Sequence, residues 1–197
     1  MARPRTIDDE VVLEATRRVL AERGPAGLTL AAVGKLAGLA PSTLMQRFGS
    51  KRGLLLASAA RSVGAARQAF AQAEARNDSP LAALRDAAIS SVVHIDKREH
   101  LGNGLGFVQL DVNDAEFRTY AMQNHAAIVD GCERLLRAAQ AAGELEREVD
   151  PAELAKAVLV MFQGALIIWA VNGWGTLTDF LSGQLDQLLA PHRPSAS

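Results

Sequence analysis

The sequence predicts an all-helical protein, on three observations. Apolar residues recur at helical spacing along most of the chain, β-branched alternation is never sustained, and the breaks fall at cap and turn residues such as Asn77-Asp78-Ser79-Pro80, Asp150-Pro151 and Asn172-Gly173. About nine helices are expected, near residues 7–23, 29–37, 40–48, 50–76, 80–97, 101–110, 114–142, 151–172 and 175–190. A chain of 197 residues has room for a small domain and a larger one, and the expected division is 1–50 and 51–197.

The elements follow in order. Val12, Leu13, Ala15, Val19 and Leu20 give the first helix its apolar side, and Glu22-Arg23-Gly24 forms its exit. Thr29 suits an N-cap, its hydroxyl accepting from an orphaned backbone N–H, and Leu30, Val33 and Ala37 then share one face of a two-turn helix. Gly38 tolerates positive φ, so the chain can reverse there, with Leu39 plugging the corner. Pro41 fits the first turn of the next helix, where its missing N–H costs nothing. Leu44 and Phe48, at i and i+4, give that helix its buried side. Ser42, Thr43, Met45, Gln46 and Arg47 are left on or beside its outer surface. Gly49 ends the helix, and Ser50 caps a fourth helix whose first turn holds Lys51 and Arg52. Cations there oppose the helix dipole and suit an external phosphate. Two short helices around a glycine, the second with its polar side chains free, form the layout of a helix-turn-helix DNA reader.

Charge points the same way. Residues 1–60 hold 9 Lys/Arg against 5 Asp/Glu, net +4, whereas the remainder holds 12 against 17, net −5. The basic end is the end with the motif, and phosphate neutralisation supplies the sequence-independent share of DNA affinity. A charge of only +4 favours two copies acting on one operator. The single cysteine, Cys132, excludes an intrachain disulfide framework and a CxxC metal site, and fits a cytoplasmic protein. The opening MARPRTIDDE lacks the apolar core of a signal peptide. The apolar run from Ala157 to Val171 is 15 residues long, short of a membrane span, and is expected to be a buried helix.

From roughly Asp9 to Leu56 the chain closely resembles the N-terminal domain of TetR-type transcriptional regulators. The likeness rests on a first helix, a Thr, a short helix, Ala37-Gly38-Leu39, a Thr43-Leu44-x-x-x-Phe48 helix and Ser50-Lys51-x-x-Leu54-Leu55. Two residues depart from the family pattern. Met45 stands where Tyr is usual and Pro41 where Lys is common, and both changes remove phosphate contacts. The resemblance implies a homodimeric, ligand-responsive repressor bound to a palindromic double-stranded DNA operator. Ser42 and Gln46 are candidates for base hydrogen bonds, and Pro41 and Met45 for contact with thymine methyls; Thr29, Thr43, Arg47, Lys51 and an Arg3/Arg5 arm are candidates for phosphates.

The last two expected helices carry the candidate dimer surface: Leu159 and Leu166 on an apolar helix, then Leu177, Phe180, Leu181, Leu185 and Leu188 as a stripe. Paired with their copies they would form a four-helix bundle. The family resemblance also implies a small-molecule pocket in the helices beyond the fourth. Candidate lining residues are Ile89, Val93, Phe107, Met122, His125, Phe162 and Trp169, with Gln109, Asn124 and Gln163 as polar handles.

Gly102-Asn103-Gly104-Leu105-Gly106 lacks the spacing of a dinucleotide loop and is expected to be a flexible corner. No cofactor or metal site is expected, and no nucleophile stands beside a base, so the sequence does not read as an enzyme. The alternatives are a helical small-molecule-binding protein that has lost sequence-specific DNA binding, and a regulator controlled by a protein partner.

Overall fold

A computed structural model describes residues 7–93, 95 and 97–194. Within them lie ten α-helices and a closing 3-10 turn, Ala190–His192. The count exceeds nine because the region expected as one helix over 101–110 is two, α6 (Arg98–Gly104) and α7 (Gly106–Asn113). The other helices are α1 (Asp9–Gly27), α2 (Leu30–Ala37), α3 (Pro41–Phe48), α4 (Lys51–Arg76), α5 (Pro80–Ser90), α8 (Ala115–Ala141), α9 (Pro151–Asn172) and α10 (Leu177–Leu189). Two compact units emerge. The first runs to Ser62 and includes Glu99–Ala121; the second comprises Val63–Arg98 and the chain from Met122 onward. This division differs from a cut at residue 50, because α4 and α8 each run from one unit into the other.

In the first unit, Asp8 caps α1, and Asp9 and Glu10 in its first turn suit the helix dipole. Gly24, at φ 64°, breaks the helix where the sequence placed its exit. Val12, Leu13, Ala15, Val19, Leu20, Val33, Leu44 and Leu54 are buried in one core. Thr16 is buried with them, its hydroxyl donating to the Val12 carbonyl at 2.8 Å. The residues after Glu99 join this unit through named contacts. Asn103 Nδ2 donates to the Ala21 carbonyl at 2.9 Å, and Phe107 meets the buried Phe117 edge to face at 6.5 Å. Gly106 has a packing role that the expectation of a flexible corner missed, since a Cβ there would lie 2.9 Å from Pro25 Cδ, whereas one on Gly102 or Gly104 would meet nothing within 4 Å.

The second unit is built on α5, α9, α10 and the adjoining lengths of α4 and α8, with Phe70, Leu84, Leu135, Leu136, Leu154, Val158, Leu185 and Leu189 in its core. Ser79 caps α5, Asp150 caps α9 and Thr176 caps α10. Glu144 is tied to the start of α5. Its Oε2 accepts from Ser79 Oγ at 2.9 Å and from Leu81 N at 3.0 Å, adding negative charge at the start of α5. Arg98 donates to the Ala170 and Val171 carbonyls at 3.1 and 3.0 Å, satisfying the C-terminal end of α9.

Helix α9 corrects a second expectation. It has 22 residues and a mean hydropathy of 2.0 over its most apolar 18, enough in length and composition to cross a bilayer, and only 28% of that window is buried within the chain. Leu154, Ala155, Val158, Ala165 and Trp169 turn inward; the opposite side stays open.

Candidate nucleic-acid interface

The helix-turn-helix is assembled by local chemistry. Thr29 Oγ1 accepts from Ala32 N at 3.1 Å, so α2 starts where the sequence placed it. Gly38 adopts φ 69°, and its N–H returns to the Gly34 carbonyl, which also accepts from Leu39 N at 2.9 Å. Gly34 is the residue that the sequence reading passed over. A Cβ there would lie 2.4 Å from the Leu39 carbonyl oxygen, so only glycine lets the turn close over α2. Its signal in the sequence was a glycine inside an expected helix, where alanine is the better helix former by about 1 kcal/mol.

Helix α3 is seated by Leu44, which is completely buried, and by the half-buried Phe48. Pro41, Ser42, Met45 and Gln46 are exposed, Met45 to 49%, and Thr43 is half-buried beside them. Arg47 differs from the expectation. Its Nη1 donates to the Ile7 carbonyl at 2.7 Å and its Nη2 pairs with Asp9, so the guanidinium binds α3 to the start of α1. Lys51 Nζ donates to the Ala26 carbonyl at 2.7 Å. Arg52 pairs with Asp114 and Glu116 and lies 5.6 Å from the centre of the Phe117 ring. It holds the Asp114 carboxyl below the usual carboxylate range. Ser50 Oγ accepts from Gly53 N at 3.0 Å, capping α4 as expected. Arg3 and Arg5 lie outside the described residues.

Residues 12–58 match the sequence model of the bacterial regulatory proteins of the tetR family. This DNA-reading unit is of the TetR family. No curated protein matches the chain in sequence. Among solved structures, a Rhodococcus sp. protein assigned to the TetR-family transcriptional regulators is 25% identical, covering 91% of this chain and 97% of its own, with a TM-score of 0.70. SmeT, the repressor of the Stenotrophomonas maltophilia multidrug efflux pump SmeDEF, is 23% identical over 97% and 93% of the two chains, with a TM-score of 0.71. The SmeT–triclosan complex is similar over 95% and 92%, with a TM-score of 0.69 and the same identity. The fold of these TetR-family structures therefore extends over more than nine-tenths of the chain.

The second unit of this TetR-type chain contains a cavity of about 100 Å³ lined by Ala66, Phe70, Ala87, Cys132, Leu159 and Phe162 among others. Of the expected pocket residues, only Phe162 lines it. Val93 and Met122 are 69% and 64% exposed, Ile89 is half-buried on α5, and Phe107 and Gln109 belong to the first unit, the former packed on Phe117. His125 and Gln163 share a 3.3 Å hydrogen bond, and the half-buried Asn124 neighbours His125 in sequence. Trp169 is buried with its Nε1 donating to the Gly175 carbonyl at 3.2 Å.

The expected dimer residues are also redistributed. Leu177, Leu181 and Leu185 are at most 3% exposed in the single chain and turn to its own interior, Leu159 lines the cavity, and Leu166, Phe180 and Leu188 are half-buried. The open apolar stripe of α9 is Val160 (71% exposed), Ile167 (44%), Ile168 (45%) and Val171 (68%), with Gly164 at its centre. The spacing of four, three, one and three residues keeps all five on one helical face.

Cys132 is 1% exposed, and burial pushes its thiol up to about 12. At pH 8, iodoacetamide should label the folded chain far more slowly than the denatured one, because the thiolate forms only when the fold opens. Prompt labelling of the native protein would contradict that burial. The sign for stability follows: with the folded value above the ordinary value of 9.0, this contribution is intact below about pH 9 and is lost as pH rises towards 12.

Proposed function

We propose that this chain is a homodimeric cytoplasmic repressor, bound to a palindromic operator and released by a small-molecule effector. The observation that carries the reading is the exposed surface of α3, Pro41, Ser42, Met45 and Gln46, presented by the fully buried Leu44 within a TetR-type domain. Helix α3 of each copy enters a major groove, with half-sites about 34 Å or a multiple apart. Ser42 and Gln46 bond base edges, and Pro41 and Met45 meet thymine methyls. Thr29, Thr43 and Lys51 hold phosphates. Lys51 uses one N–H on Ala26, which leaves two for an anion. Arg47, already engaged by Ile7 and Asp9, orients α3 instead of reaching a phosphate itself.

The α9 stripe is the surface for the second copy, since an isologous contact pairs it with itself. SmeT, a repressor captured with triclosan, supports the effector part by analogy of fold. An effector that turns nearly full occupancy into nearly none must prefer the non-DNA conformation by about 5.5 kcal/mol.

Selection of DNA fragments by the purified protein tests the reading. Wild type should enrich a palindrome, and Gln46→Ala should lose the preference at one position per half-site. Lys51→Ala should weaken binding similarly across sequences and lower the salt slope by about 1. Enrichment of no sequence would overturn the repressor and favour a ligand-binding protein without DNA activity.

A further inference from the structure

The cavity of the second unit specifies its own occupant. Its walls come from α4 (Ala66, Phe70), α5 (Ala87), α8 (Cys132) and α9 (Leu159, Phe162), with other apolar neighbours. Among the described residues no Asp, Glu, Lys, Arg or His lines it, and the polar groups they contribute are the Cys132 thiol and Ser91, whose hydroxyl already donates to the Ala88 carbonyl at 2.7 Å. An ion placed there would lose its hydration without gaining a partner, a cost of several kcal/mol in any such site. Water is disfavoured too, since a buried water needs two to four polar partners. The volume, about 100 Å³, is somewhat below the roughly 150 Å³ of an apolar protein cavity that admits benzene.

One contact sets the position of the wall. A Cβ on Gly131 would lie 2.5 Å from Phe70 Cγ and Cδ2, so the missing side chain is what gives the Phe70 ring its seat. Phe70 also lines the cavity. Interiors are otherwise close-packed, so a ring displaced from Gly131 has the cavity as its free space.

We infer that the effector site takes a compact, uncharged, hydrocarbon-like molecule of about one ring, with the Gly131–Phe70 contact setting the room available. This rests on the proposal of a ligand-responsive repressor, but benzene binding itself is measured without DNA. Benzene is the probe, with benzoate and benzylammonium as charged controls of the same ring size, and thermal unfolding of the full chain is the readout. At about ten times its Kd, benzene should raise Tm by roughly 3–6 °C, saturably, while the charged controls at equal concentration should not.

Ala66→Leu and Gly131→Ala should abolish the benzene shift with helical circular dichroism retained. Where Gly131→Ala fails to fold, Ala66→Leu on the half-buried flank of α4 still decides the matter. Failure of benzene to shift wild-type Tm, an equal shift with benzoate, or a full shift retained in Ala66→Leu would overturn the inference. Benzene that binds as described but leaves operator binding unchanged would retain this ligand class and remove only the claim that occupancy releases DNA.

Discussion

Gly34→Ala should weaken operator binding at least tenfold. The added Cβ would stand 2.4 Å from a backbone oxygen, that of Leu39, and backbone cannot step aside as the end of a flexible side chain can. The same carbonyl belongs to the turn that aims α3, so relieving the clash must move α3 relative to α2. Overpacking of this kind costs about 1–3 kcal/mol, and the loss of affinity should be at least tenfold because base contacts tolerate little displacement. Gly64 on α4 is the internal control. Nothing lies within 4 Å of a Cβ built there, so Gly64→Ala should stabilise the chain by about 0.5–1 kcal/mol through helix propensity. Urea unfolding and gel shifts on both variants check the opposite signs. Unchanged operator affinity in Gly34→Ala would refute the account of the turn.

The double replacement Ile168→Glu and Val171→Glu should convert the protein to a folded monomer. Both side chains are already exposed in the single chain, so the fold loses little. In an isologous interface the two substitutions occur twice, placing four carboxylates where four apolar groups met. Each large apolar group is worth about 1.5–3 kcal/mol when fully buried, and like charges add repulsion, so dimerisation should weaken by at least a hundredfold. Operator affinity should fall with it, because one copy presents one α3. Sedimentation at micromolar concentration gives the mass. A dimer that persists would place the contact elsewhere, and an open stripe on that dimer would favour a regulator controlled by a partner protein.

The helix-turn-helix was legible because its determinants are local. Thr29 caps within one turn, Gly38 reverses the chain beside its own helix, and Leu44 and Phe48 mark one side of α3 by spacing alone. The roles of Arg47 and Lys51 were not legible, since their partners, Ile7, Asp9 and Ala26, are remote in sequence. A cation read from sequence appears available to a phosphate until the fold supplies a carbonyl.

Face selection on α9 is the clearest instance of the same limit. The helix is apolar on nearly every side, so periodicity offered Leu159 and Leu166 as readily as Val160 and Ile167 for a partner surface. Helix α10 shows the converse: its leucine stripe was legible, but spacing could not say whether Leu177, Leu181 and Leu185 meet a copy or their own chain, and they are buried in their own chain.

By itself, then, the sequence determined the helical class, the reader motif and the exposed side chains of α3, because hydrophobic period, caps and glycine conformations act over a few residues. Tertiary structure alone decided that Glu99–Ala121 joins the first unit, that Glu144 caps α5, that Phe70 rests on Gly131 beside a small cavity, and which face of α9 remains open. Those outcomes depend on residues distant in sequence meeting in space, where volume and hydrogen-bond satisfaction choose among faces that a one-dimensional pattern leaves equivalent.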